Sequence, residues 1–232
     1  MRSSFGMALV YALPRSPPWA RPVLETWFGP CYERDFSEEA LREVGRLHWG
    51  IEWVDGQVRS IGSEAQKLLD DDLRLRFGSL LDDMDDAVLE EPRASLAKII
   101  MCDQFSRNIY RRTKDAFRRD HLTPAWSKEL DLDALHPIEA VFGLLPLEHS
   151  EDATNHELCL KKLEDVVDRA RKEEFPEHVQ RQLALSKSHA VDHADVIFRF
   201  GRYPHRNAVL GRESTDEEIE FLSGSAASSW GQ

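Results

Sequence analysis

From Glu38 to Leu222 the apolar residues recur in steps of three and four, and no segment longer than four residues alternates apolar and polar as a strand does. A chain patterned this way buries its apolar surface by laying helix on helix. Leu41, Val44, Leu47, Ile51 and Val54 mark one face of a helix over 38–54, weakened by Gly45 and Gly50. Ser63 caps a longer helix running toward Leu89, with Leu68, Leu69, Leu73, Leu75, Phe77, Leu80, Leu81 and Met84 spread over a broad apolar face. Pro92 opens a helix over 92–110, Pro124 breaks the stretch 114–130, and Pro146 interrupts a helix begun at Pro137. Ser150 stands as the N-cap of the next helix, with Glu151 and Asp152 in a first turn where the dipole favours carboxylates. The last long helix starts at Pro176 and stops at Gly201, and Thr215 with Glu218 forms a capping box for a short helix ending near Leu222. With no βαβ unit and no hairpin marked by Asn-Gly, the expected fold is an all-α, irregular helical array.

The chain has 232 residues, enough for one large domain, and a formal net charge of −12. That balance argues against nucleic acid as a partner, because phosphate backbones are bound by an excess of Lys and Arg. No apolar run approaches the ~18–20 residues that cross a bilayer, so no transmembrane segment is expected. Cys31, Cys102 and Cys159 are too scattered for a disulfide framework and form no C-x-x-C pair, which points to a reducing, cytoplasmic setting. The first 24 residues hold Arg2, Arg15 and Arg21, and all 42 carboxylates lie after them. Residues 1–22 therefore read as a Pro-rich basic leader; as an organellar presequence it would place the protein in a mitochondrion or plastid instead. A single helical domain is expected over 23–222, and a Gly, Ala and Ser-rich tail over 223–232.

Three segments are too polar for simple helix packing: residues 102–110 (CDQFSRNIY), 144–152 (LLPLEHSED) and 199–207 (RFGRYPHRN). Within the first, Asp103 and Arg107 extend the apolar stripe of Leu96, Ile99 and Ile100, and their four-residue spacing sets them up as an ion pair on the core face. The three segments resemble the signatures of the bacterial DUF924 family, which run approximately LDQFPRN, LPLMHSED and RFGRFPHRN followed by LGR-x-STPEE. Trp27-Phe28-Gly29 resembles that family's opening FWFG, and the likeness spans about Val23 to Leu222. Ser106 stands where the family usually has Pro, Arg112 where it has Gly, Glu148 where it has Met and Asp216 where it has Pro. The resemblance implies a helical fold related to the tetratricopeptide-repeat superfamily and implies no known activity. The 34-residue period of regular repeats is not visible in the chain itself.

Two positive islands lie in this acidic sequence: 107–120 has a net charge of +4 and 195–212 of +3. Facing each other, their guanidinium forks would suit a phosphate or carboxylate, so a small anionic ligand is the first functional reading. Its candidate residues are Asp103, Gln104, Arg107, Asn108, Glu151, His193, Arg199, Arg202, His205, Arg206, Asn207 and Arg212, with Arg107, Arg202 and Arg206 as the anion contacts. The competing reading makes Asp103, Arg107, His149, Asp152, Arg202, His205 and Asn207 a buried network locking the helices of a scaffold that binds a protein or peptide partner. A third is a hydrolase in which His149 works with Asp152. His189 and His193 have metal-type spacing, but without the Glu of H-E-x-x-H or an evident third ligand no metal is expected, and no Gly-rich loop signals a cofactor.

Overall fold

A computed structural model describes residues 16–34, 36–48, 51–54, 57–60, 62–87 and 89–224. Residues 1–15 of the expected leader and 225–232 of the tail lie outside that set. Helix α1 (Ala20–Phe28) starts a turn before the expected Val23, because Ala20, Val23, Leu24, Trp27 and Phe28 form one buried face. α2 (Glu38–His48) follows, and here the periodicity misleads. The chain leaves the helix before Ile51 and forms an antiparallel pair, β1 (Ile51–Val54) with β2 (Gln57–Ser60), Glu52 opposite Arg59. The signal was there: Asp55-Gly56 between two short β-branched stretches favours a two-residue hairpin, and Gly50 weakens the helix. Among the described residues this is the sole sheet, and the fold is otherwise all-α.

α3 (Ser63–Asp82) ends well short of Leu89, since a run of carboxylates at Asp82, Asp83, Asp85 and Asp86 opposes the negative end of the helix dipole. Its buried line is Leu73, Phe77 and Leu81, whereas Leu68 and Leu75 face solvent. The acidic run is not merely solvated: Asp82, Asp85 and Asp86 pair with Arg118, Lys98 and Arg119. α4 (Pro92–Ile100) has Glu91 as N-cap and continues into a widened segment, Met101–Phe105, and the short α5 (Ser106–Ile109). Pro124 sits in the first turn of α6 (Thr123–Glu129), where its missing N–H costs nothing. α7 (Pro137–Glu148) runs through Pro146: the lost bond to Phe142 is outweighed by burial of Leu144, Pro146 and Leu147, and His149 N still donates to Leu145 O at 2.8 Å.

α8 (Ala153–Lys172) is capped by Asp152 rather than Ser150. The Asp152 backbone is extended and its carboxylate accepts from Thr154 N, while the Ser150 hydroxyl accepts from Asp152 N and Asn155 Nδ2. α9 (Glu177–Phe200) packs on α7 and α8 and ends at Gly201, whose φ of 68° is the left-handed turn that favours glycine. α10 (Asn207–Leu210) leads to α11 (Asp216–Ser223), which carries the expected Thr215/Glu218 capping box. One apolar core joins α1 to α9, anchored by Trp27 and Phe28 against Phe105 and Phe142; a smaller cluster gathers Val196, Ile197 and Tyr203. No described helix is long and apolar enough to cross a membrane.

Candidate functional site

The three polar segments meet where α5, the α7–α8 junction and the end of α9 come together. Ser106 N donates to Met101 O, five residues back instead of four, so the turn Met101–Phe105 is a π-bulge of the kind that often marks functional positions. Asp103 lies inside it, completely buried. The expected Asp103–Arg107 ion pair forms at 3.0 Å. Asp103 also takes His149 Nδ1, at 3.0 and 2.9 Å from its two oxygens, and the amide of Gln104. With Nδ1 donating to a carboxylate, Nε2 of His149 carries the lone pair.

From Arg107 the network continues outward. Its Nη1 and Nη2 donate to the two oxygens of Asp120 at 3.2 and 2.8 Å, and Asp120 also accepts from Arg206 Nη1 at 3.4 Å. Arg206 is 5% exposed and lies between the rings of Tyr203, at 4.4 Å, and Phe117, at 4.8 Å. Tyr203 in turn donates its hydroxyl to the backbone oxygen of Glu148. Around this line stand Glu148, His193 and His205, the first buried and the two histidines half-buried. His193 Nδ1 lies 2.8 Å from His189 O and 3.2 Å from Glu148 Oε1.

Burial acts to raise the Asp103 carboxyl, but the charge of Arg107 and the bond from His149 outweigh it and hold Asp103 ionised, far below the usual carboxylate range. Arg107 stays charged because Asp103 and Asp120 overcome its own burial. For Asp120 the balance reverses: burial, reinforced by the Asp103 charge, raises its carboxyl in spite of Arg107 and Arg206. Burial and the neighbouring Arg107 push Arg206 down to about 10. Burial also lifts Glu148 to about 8 and lowers His193 to about 3 and His205 to about 4. For His149, burial outweighs the attraction of Asp103 and favours the neutral ring.

The remaining sequence candidates are engaged elsewhere. Arg202 makes a two-pronged pair with Glu218 at 2.6 and 2.8 Å, so its fork is already filled. Arg212 does the same with Glu151 and also bonds Asn207 and Tyr203 O. Asn207 reaches Ser214 and Glu218, Arg199 pairs with Glu217, and Asn108 accepts from Arg111. Asp152 is an exposed helix cap held by Thr154; the carboxylate on His149 is Asp103, on a different segment from the one the chain neighbourhood suggested. Sequence reasoning missed Asp120, Tyr203 and Phe117 as parts of the centre. Asp120 is one acid at the end of a basic stretch, and no spacing rule ties it to Arg206 across 86 residues.

The model of the family described as "Bacterial protein of unknown function (DUF924)" matches residues 23–226. The chain belongs to this family. A solved structure, that of the protein of unknown function ATU0120 from Agrobacterium tumefaciens, is similar over 88% of this chain and 97% of that one, with a TM-score of 0.56 at 24% identity. That likeness shows a shared fold. Among curated proteins no match is found. All three polar signature segments of this DUF924 chain fall within the matched region.

Proposed function

We propose that the centre binds a small anionic ligand, a phosphate or a carboxylate, against Arg206. One observation carries the reading: a buried guanidinium whose single hydrogen bond among the described residues is the 3.4 Å contact to Asp120, and whose Nε has no hydrogen-bond partner. Buried polar groups are ordinarily satisfied, and a buried cation more strictly so. The other motif arginines do not share this shortfall, since Arg107, Arg202 and Arg212 each hold a carboxylate by two bonds. Asp120 serves Arg107 and Arg206 together, with both of its oxygens taken by Arg107 and only the 3.4 Å contact left to Arg206, so one carboxylate is shared between two guanidiniums. An anion supplies a second negative charge and suits the planar fork.

Thermal melting with inorganic phosphate, pyrophosphate and citrate tests the reading. A ligand at a hundredfold excess over its Kd stabilises by about 2.7 kcal/mol, which for a chain of this size raises Tm by about 5–10 °C. Arg206→Met abolishes the shift, and Arg206→Lys, which keeps charge but not the fork, restores part of it. If no anion moves the wild-type Tm, and Arg206→Met merely melts lower in every buffer, the centre is a structural charge network and the reading fails.

A further inference from the structure

We infer that Glu148, His149 and His193 together bind one divalent transition-metal ion, zinc being the best match. Oxygen and ring-nitrogen donors from these three side chains lie within 4.8 Å of one another. Tetrahedral zinc with bonds of about 2.0–2.2 Å needs donors about 3.4 Å apart, a gap that small side-chain rotations close. Two histidines and one carboxylate make the three-ligand set of catalytic zinc sites, which keep a further position open.

The supporting shell is already built. His149 has Nδ1 on Asp103, the carboxylate–histidine arrangement that orients a ligating imidazole and leaves Nε2 for the metal. His193 is held beside Glu148, its Nδ1 lying 2.8 Å from the backbone oxygen of His189 one turn earlier in α9 and 3.2 Å from Glu148 Oε1. A second, independent observation concerns charge. Glu148 is a buried carboxylate whose ion-pair partner among the described residues is an imidazole and not a Lys or Arg. A buried carboxylate without a full countercharge is costly, and a bound cation removes that cost. The site goes beyond the anion reading and does not depend on it, because Glu148 and His193 take no part in holding Arg206.

Tag-free full-length protein, stripped with EDTA and titrated with zinc chloride by calorimetry, is expected to take up one equivalent per chain. Glu148→Gln and His193→Asn, each checked for retained helix by circular dichroism, lose that uptake. Asp103→Asn, which replaces the carboxylate that orients His149 and touches neither Glu148 nor His193, weakens it about 10- to 100-fold. His178→Asn, about 22 Å from His193 along α9 at 1.5 Å per residue, leaves it intact. Absence of stoichiometric uptake by the wild type, or unchanged affinity in both Glu148→Gln and His193→Asn, overturns the assignment. Should either variant fail to fold, cobalt(II) added to the wild type decides: intense visible d–d bands of a four-coordinate ion support the site, and the weak spectrum of a six-coordinate ion refutes it.

Discussion

Replacing Asp103 by Asn tests whether the polar centre is held by its innermost carboxylate. The change keeps shape and volume and removes one charge. The Asp103 carboxylate takes hydrogen bonds from His149 Nδ1 and the Gln104 amide and is ion-paired with Arg107 Nη1 at 3.0 Å, while that same Nη1 donates to the Asp103 backbone oxygen, and the residue has no exposure to water. Asparagine offers one oxygen and turns an NH2 donor toward at least one of those groups. Breaking a buried ion pair from one side costs about 3–5 kcal/mol. Here Arg107 retains both bonds to Asp120, so the expected loss is smaller, about 2–4 kcal/mol. In urea at pH 7 this appears as a lower midpoint at unchanged m-value, and in thermal melts as a drop of about 4–16 °C. A double-mutant cycle with His149→Gln shows a coupling above about 0.5 kcal/mol, as side chains in contact do. Asp152→Asn, an exposed cap exchanged for an equally good one, stays within about 0.5 kcal/mol of wild type. A stability change for Asp103→Asn within about 0.5 kcal/mol, or strict additivity with His149→Gln, would refute the argument that this carboxylate organises the centre.

His136 caps α7 by accepting from Ile138 N at Nδ1 while its ring stacks on Phe36 at 4.0 Å, and burial with the nearby Arg34 lowers it from 6.5 to about 4. Between those values the unfolded chain binds a proton that the folded one refuses, so stability falls as pH drops from 6.5 toward 4, by at most about 1.4 kcal/mol per pH unit. His136→Asn keeps a cap acceptor and flattens that part of the stability–pH curve; an identical slope in the variant contradicts the assignment. Gly143 is needed for close packing of α7 on α6, because an added Cβ would collide with Leu130, itself buried. Gly143→Ala is expected to destabilise by about 1–3 kcal/mol in urea melts through overpacking, and a neutral or stabilising result would show that Leu130 moves freely.

Local rules made much of this chain readable from its residues. A period of three and four residues marks buried helix faces, Gly201 and the Thr215/Glu218 box end and begin helices by backbone chemistry, and Asp103 meets Arg107 because a helix brings residues four apart together. The same rules failed where two local forces compete. Leu41 to Val54 fits a helix stripe, yet the chain is helical only to His48 and extended from Ile51; Leu68 and Leu75 have helical spacing but stand exposed.

The centre itself could not be read that way. Its decisive contacts join residues 46 and 86 positions apart, His149 to Asp103 and Arg206 to Asp120, and spacing carries no information once the chain has turned between helices. His193 with His189 looked like an incomplete metal pair on one helix. In three dimensions His189 contributes only its carbonyl, and the partners of His193 come from the end of α7. The sequence by itself determined a helical domain with three polar signatures. The packing of α7 against α9, and of the C-terminal end of α7 against the π-bulge after α4, decided which of those charges are paired, which guanidinium is left short of partners, and which carboxylate is buried beside two imidazoles. Such outcomes depend on burial and on distance through space, and both arise only when separate helices dock.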